Sequence, residues 1–251
     1  MKITMAQFKP RVGEVAKNFE AAEIFIRRAK DSDVVVLPEL WTTGYFPKPL
    51  ENYAERNAER TAIFISRLSK ELNLNIVAGS VIAEVDGKFY NRCLVSNRRG
   101  EIAATYDKTH LFTLSGENKV FSAGDKIVTF EIDGVKCGAA ICYDLRFPEF
   151  IRKIALQGVE VLFVPAEWNL LRLAPRQVLT KARAIENQIF VVFVNSAGHS
   201  EIVNPYGTVL CEIGINEQIF TYEIDLTTRQ EIISSMDLLA DRNLAVDKIQ
   251  P

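Results

Sequence analysis

Residues 138–150 read "GAAICYDLRFPEF", and the placement of one cysteine in this stretch decides how the rest is read. A run of small and apolar residues ends at Cys142, a polar and aromatic cluster follows, and Pro148 stands where a helix would begin. A packing thiol belongs inside a strand. A thiol at the junction of a buried strand and a turn is lifted out of the core, which is where a nucleophile is useful.

Outward from that junction the apolar pattern alternates between strand and helix. "KITMAQF" and "VVVLPE" read as strands, and between them "NFEAAEIFIRRAK" places Phe19, Ala22, Ile26 and Ala29 on one helical face. A second helix is expected from Glu55 to Leu72, leading into one buried strand, "NIVAGSVIAEV". Asp86-Gly87 and Asp133-Gly134 each sit between strand-like runs and predict two-residue hairpins. A helix over 148–157 is bounded by Pro148 at its start and Gly158 past its end. "VEVLFVPAEW", "APRQVLTKARAIENQ" and "IFVVFVNS" continue as strand, helix and strand; "EIVNPYGTVL" is a strand pair, and "IFTYEIDL" is the last clear strand. With no linker, low-complexity segment or fixed-period repeat, the expectation is one mixed α/β domain over residues 1–251.

The totals exclude several classes. A formal net charge of -2 gives no electrostatic case for nucleic acid or an anionic membrane. No apolar run approaches the ~20 residues that span a bilayer. The first residues, "MKITMAQFKPRVGE", lack an apolar h-region and a small-residue cleavage site, so a cytoplasmic protein is expected. The four cysteines form no C-x-x-C pair, and two histidines are few for a zinc site; four free thiols and no metal are expected.

Ligands of open α/β sheets bind beyond the carboxyl ends of strands. Glu39 follows "VVVLP", Lys108 follows "EIAATYD" and Cys142 follows "VKCGAAI". Each alone has a bland reading: a solvated or helix-capping acid, a surface lysine, a packing thiol. Cys93, Cys137 and Cys211 lie inside strands and read as packing. A Cys-His pair is the usual thiol activation, but His110 and His199 read as structural hydrogen-bonders, and His199 has no visible acidic partner in the sequence.

Taken together, "VVVLPELWTTGY", "YDKTHLF", "GAAICYDLRFPEF", "KARAIENQIFVVFVN" and "GHSEIVNPYG" resemble the nitrilase superfamily of carbon–nitrogen hydrolases along essentially the full length. The resemblance implies a Glu-Lys-Cys catalytic set, carried onto Glu39, Lys108 and Cys142, with a second glutamate at Glu117 in "LSGENKVFSAGD". It implies a four-layer αββα sandwich of two mixed sheets, paired in a homodimer as αββααββα. It implies amide hydrolysis through a cysteinyl thioester without a cofactor, with Glu39 as general base and Lys108 and the Tyr143 backbone N–H as oxyanion donors.

"LPELWTTGY", "ICYDLRFPE" and "VPAEW" look most like the small-amide branch that includes ω-amidases, with 2-oxoglutaramate as the preferred substrate. Rival readings are a nitrilase, an N-carbamoyl hydrolase, an aliphatic amidase, or an inactive binding protein on the same fold. Nitrilases commonly carry Cys-Trp-Glu where this chain has Cys142-Tyr143-Asp144. Trp168 and Tyr45 are expected either to wall the acyl pocket or to pack in the core. Arg146, Arg172 and Arg176 are candidates to clamp a substrate carboxylate; for Arg146 a brace to Asp144 or Glu149 is the preferred reading.

Overall fold

Side-chain alternation in a few short strands sorts the chain into layers. In the computed structural model, which describes residues 1–243, Ile3, Met5, Val34, Val36, Val77 and Val95 enter one core cluster. Their neighbours Ala6, Val35, Ile76, Ala78 and Leu94 enter another. A period of two sends successive side chains to opposite faces of a sheet, so this sheet is covered on both sides.

The strands are β1 (Lys2–Gln7), β2 (Val34–Val36), β3 (Glu55–Arg56), β4 (Asn75–Val77), β5 (Val81–Val85), β6 (Lys88–Ser96) and β7 (Ile102–Asp107), then β8 (Thr129–Ile132), β9 (Val135–Ala139), β10 (Val161–Ala166), β11 (Phe190–Asn195), β12 (Glu201–Val203), β13 (Val209–Glu212) and β14 (Gln218–Glu223). The helices are α1 (Val15–Arg28), α2 (Glu59–Leu72), α3 (Pro148–Ala155), α4 (Leu173–Asn187) and α5 (Thr227–Ser235). One sheet runs β14-β1-β2-β4-β6-β5-β3, with β7 also on β6; the other runs β13-β12-β11-β10-β9-β8. Each holds a parallel trio, β1-β2-β4 and β9-β10-β11, flanked by antiparallel strands. α1 and α2 cover the outer face of the first sheet. The inner face meets the second sheet, whose far side packs Phe150, Ile151 and Ile154 of α3 and Ala184 of α4. The result is the expected αββα sandwich.

The topology sets where functional groups can meet. β7 is antiparallel to β6, and β6 is antiparallel to β4, so β7 and β2 point the same way. Residues just past β2 and β7 therefore emerge at one edge of the first sheet, and residues past β9 and β10 at one edge of the second.

Three elements differ from the sequence reading. The strand expected over "NIVAGSVIAEV" is broken at Gly79 into β4 and β5. There φ is +57, and a Cβ would lie 1.9 Å from the Pro38 carbonyl oxygen; only glycine lets the two loops approach. The second helix starts at Glu59, not Glu55, because Glu55 and Arg56 pair with Ala83 and Glu84 as β3. The Glu55 carboxylate instead accepts from the backbone N–H and the hydroxyl of Thr61, at 2.7 and 2.8 Å. α5 follows the last expected strand and has only Ile232 buried; a helix with so narrow an apolar face gives little periodic signal. Both Asp-Gly turns form as expected, with positive φ at Asp86, Gly87, Asp133 and Gly134.

Candidate active site

Cys142 begins the turn that follows β9, and it sits at φ +47. A non-glycine residue in this left-handed region costs about 1–3 kcal/mol, which the surroundings must offset. Asp144 supplies much of the restraint. It is fully buried; its Oδ2 accepts from the Ile141 N–H at 2.8 Å and the Tyr106 hydroxyl at 2.7 Å. Its Oδ1 accepts from the His110 backbone N–H at 2.8 Å and lies 2.9 Å from His110 Nδ1. The His110 ring stacks on Phe147 with centroids 3.7 Å apart. Three of these four contacts tie the turn to β7 and the loop after it, and the fourth closes the turn on Ile141.

The Lys108 side chain, just past β7, is 1% exposed, and its ammonium donates to Glu39 Oε1 at 2.8 Å and Glu117 Oε1 at 2.9 Å. Glu39 also accepts from Asn91 Nδ2 at 2.8 Å on Oε1, and from the Glu167 backbone N–H at 2.9 Å on Oε2. Glu117 Oε2 accepts from the Phe112 N–H at 2.7 Å, and the Tyr45 hydroxyl lies 3.3 Å from its Oε1. Both carboxylates are fully buried, and each oxygen has at least one donor, the condition for holding charge away from water.

The electrostatics follow from this packing. Burial alone would push the Lys108 ammonium down, but the negative groups around it, Glu39 foremost, hold it well above the usual lysine range. Burial raises Glu117, partly offset by Lys108. Burial, and then the Glu39 charge, push the Cys142 thiol well up, with Lys108 opposing. The Cys142 thiol is therefore held neutral beside the Glu39 carboxylate.

Cys142 opens onto a cavity of about 880 Å³. Tyr45, Tyr143, Arg146 and Trp168 line it, as does Arg172, whereas Glu39, Lys108 and Glu117 stand behind its wall. The Trp168 backbone N–H donates to Asn195 Oδ1 at 2.6 Å, and its indole N–H donates to the Arg172 carbonyl at 3.0 Å. The preferred brace for Arg146 is replaced by another arrangement. Its guanidinium lies 4.8 Å over the Trp168 ring, while Asp144 is occupied by Tyr106, Ile141 and His110. Arg176 is not in the cavity wall; it is buried in an ion pair with Glu201 at 2.5 Å and donates to the His199 carbonyl at 2.9 Å. His199 does meet an acid, Glu212, at 2.7 Å; the partner lies across the β12–β13 pairing and could not be seen along the chain.

Sequence reasoning passed over Asn91, Lys9 and Glu167. Asn91 lies mid-strand in β6, where nothing marks a ligand of Glu39. Lys9 lies just past β1 and joins the cavity wall only in the folded chain. Glu167 had a signal: a lone acid directly after the apolar run "VLFVPA" at a strand's carboxyl end. Among the described residues no group of three or more histidine, cysteine, aspartate or glutamate side chains is placed to hold a metal ion.

Comparison with known proteins bears on this geometry. The model of the carbon–nitrogen hydrolase family matches residues 2–234. A 2-oxoglutaramate amidase of Bacillus subtilis (strain 168) is 41% identical over 249 residues, covering 95% of this chain and 96% of the relative. The human omega-amidase NIT2 is 34% identical over 235 residues, covering 86% of this chain and 85% of the relative. Among solved structures, a CN-hydrolase superfamily protein from Xanthomonas campestris, with an arsenic adduct in its active site, superposes with a TM-score of 0.91 at 28% identity, covering 97% of both chains.

Proposed function

This chain belongs to the carbon–nitrogen hydrolase family, and from that premise we propose that its whole length is one thiol-dependent amidase domain hydrolysing a small linear amide to the acid and ammonia. Our choice of substrate is a 2-oxoglutaramate-like monoamide of a dicarboxylic acid, supported by the substrate in the name of the Bacillus subtilis relative and by the omega-amidase activity in the name of the human one. The observation that carries the reading is the Lys108 ammonium fixed between Glu39 and Glu117 behind the cavity-lining Cys142.

In this reading Glu39 takes the Cys142 thiol proton as sulfur attacks the amide carbon. The carbonyl oxygen becomes an oxyanion, met by Lys108 and the Tyr143 backbone N–H; one such donor contributes about 3 kcal/mol to the transition state. Glu39 returns the proton to nitrogen, the C–N bond breaks, and ammonia leaves a thioester on Cys142. Water then attacks, Glu39 accepts its proton, the C–S bond breaks and the thiol is restored. Glu117 holds Lys108 and orients the entering group, with Tyr45 hydrogen-bonded beside it. No step calls for a cofactor.

Arg146, Arg172 and Lys9 give the cavity the cations a substrate carboxylate requires. A site built for that charge leaves buried groups unpaired when a neutral amide binds. We expect kcat/KM for 2-oxoglutaramate or succinamate to exceed that for butyramide by ~10² or more. We expect Cys142→Ala to abolish ammonia release while the circular dichroism spectrum is unchanged. Faster turnover of nitriles or N-carbamoyl compounds assigns the protein to another branch, and an active Cys142→Ala enzyme removes the thioester.

The family pairing into an αββααββα homodimer fits the layer of α3 and α4, where Leu156, Val178 and Ile185 are exposed. Sedimentation of a Val178→Asp/Ile185→Asp variant as a dimer would exclude that face. Four free thiols suit a reducing compartment such as the cytoplasm; among the described residues no helix is long and apolar enough to cross a membrane. Expression of a tagged chain followed by cell fractionation checks the compartment, and recovery outside the cytoplasm would overturn it.

A further inference from the structure

Glu167 and Glu217 both line the cavity and neither has a role in the mechanism, but Glu217 accepts from the Lys9 backbone N–H at 2.9 Å. Glu167 lies just past β10, on the edge of the second sheet that also carries Cys142 past β9. Its backbone is committed, since its N–H donates to Glu39 Oε2 at 2.9 Å. Its side chain is not. Glu167 lines the cavity, and its Oε2 is buried with no hydrogen-bond partner among the described residues. Each oxygen of Glu39 and Glu117 has a donor, and Glu217 has the Lys9 N–H, so the contrast falls on Glu167. A buried polar atom without a partner is costly, and in a ligand cavity its natural partner is the ligand.

We propose that Glu167 is a specificity-determining residue of the amidase reaction: its carboxyl group donates a hydrogen bond to a carbonyl or carboxylate oxygen on the substrate's acyl chain, selecting amides that carry a second oxygen function over plain aliphatic amides. This rests on the amidase reading above.

The surroundings favour the donor form. Burial, and then the Glu39 charge, push the Glu167 carboxyl up to about 8, with Lys9 opposing. The thiol of Cys142 shares the cavity, and Lys108 and Glu117 lie beyond Glu39. Arg146, Arg172 and Glu217 complete the charged groups of the wall. At neutral pH the acid keeps its proton and offers an O–H. When ionised it becomes acceptor-only and places a second negative charge beside Glu39, facing an anionic substrate. Recognition of a carboxylate or 2-oxo group is therefore lost as pH rises through the titration of Glu167, and a neutral aliphatic amide is less affected.

The test compares Glu167→Gln and Glu167→Leu with the parent enzyme on succinamate and butyramide from pH 6 to 9.5. With a group titrating at about 8, succinamate kcat/KM of the parent enzyme falls roughly tenfold between pH 7 and 9. Glu167→Gln keeps a donor of the same shape; it retains activity at pH 7 and loses that alkaline fall. Glu167→Leu lowers succinamate kcat/KM by ~10² and leaves butyramide within about threefold. An unchanged alkaline fall in Glu167→Gln overturns the proposal, as does an equal loss on both substrates in Glu167→Leu. Should the leucine variant not fold, the glutamine pH profile decides alone. Failure here leaves Cys142→Ala inactive, whereas failure of the amidase reading itself appears as an active Cys142→Ala enzyme.

Discussion

Replacing Lys108 by methionine tests the centre of the proposed site, because a long unbranched side chain remains while the ammonium is lost, with its charge and its N–H donors. The ammonium bridges two fully buried carboxylates at 2.8 and 2.9 Å. Two unit charges about 4 Å apart interact by roughly 4 kcal/mol at an effective dielectric of 20, and removing one partner of a buried pair costs about 3–5 kcal/mol. Two adjacent carboxylates cannot both stay ionised in such a place, so the variant takes up a proton. Glu117, which burial already raises, is the group expected to hold it. A carboxyl whose folded pKa lies above its unfolded value, about 4.3 for glutamate, contributes stability below that value and loses it as pH rises through the folded pKa. The stability deficit of Lys108→Met is therefore smallest near pH 5 and grows toward pH 8. Urea unfolding at the two pH values reads the deficit. Ammonia release reads the chemistry, where loss of an oxyanion donor lowers kcat by ~10² or more. A variant with the same deficit at both pH values and near-normal kcat would refute the placement of Lys108 between two charges that matter.

Three further substitutions probe how the site is held. Gly79→Ala would press a Cβ to 1.9 Å from the Pro38 carbonyl oxygen, next to Glu39, so it should destabilise by ~2 kcal/mol or more and lower kcat; an alanine variant that melts and turns over normally shows that the loop yields. Asp144→Ala leaves the Ile141 and His110 N–H groups and the Tyr106 hydroxyl without their acceptor, and should cost about 3 kcal/mol or more in denaturant unfolding while slowing iodoacetamide at Cys142. Glu39→Gln removes the proton acceptor while keeping the shape, and should lower kcat by ~10² or more; a near-normal kcat removes Glu39 from that role. In the parent protein, iodoacetamide should reach Cys142 first by peptide mass spectrometry, since Cys93 and Cys137 are fully buried, and Cys142 is the one of the four that lines the cavity, with the Glu39 carboxylate beside it to take its proton. Earlier labelling at any other cysteine would contradict the exposure of Cys142 to the cavity.

Most of the fold was legible because local rules and tertiary packing agreed. The Asp-Gly turns, Pro148 at the start of α3 and Gly158 beyond its end are short-range signals, and each acts through its own backbone preference. Glu55 shows where that logic stops. A helix-compatible residue was taken into strand pairing by β5, and its carboxylate then capped the helix it did not join. Gly79 shows it again, since an apolar run reads as one strand until the Pro38 carbonyl is found in the way.

Glu39, Lys108 and Cys142, the proposed catalytic set, were marked in the sequence by type and by place, each a reactive group just past a strand, whereas Glu117 came from the family resemblance. Local chemistry is written locally, so these could be chosen from the chain alone. What a side chain does once chosen depends on groups far along the chain. Arg146, Arg172 and Arg176 looked alike as cations; packing against Trp168, opening to the cavity and burial against Glu201 separated them. Glu167 drew no reading at all until β10 set it beside Glu39, 128 residues away in sequence. Charge, burial and hydrogen-bond partners are properties of neighbours in space, and only the tertiary structure says who those neighbours are.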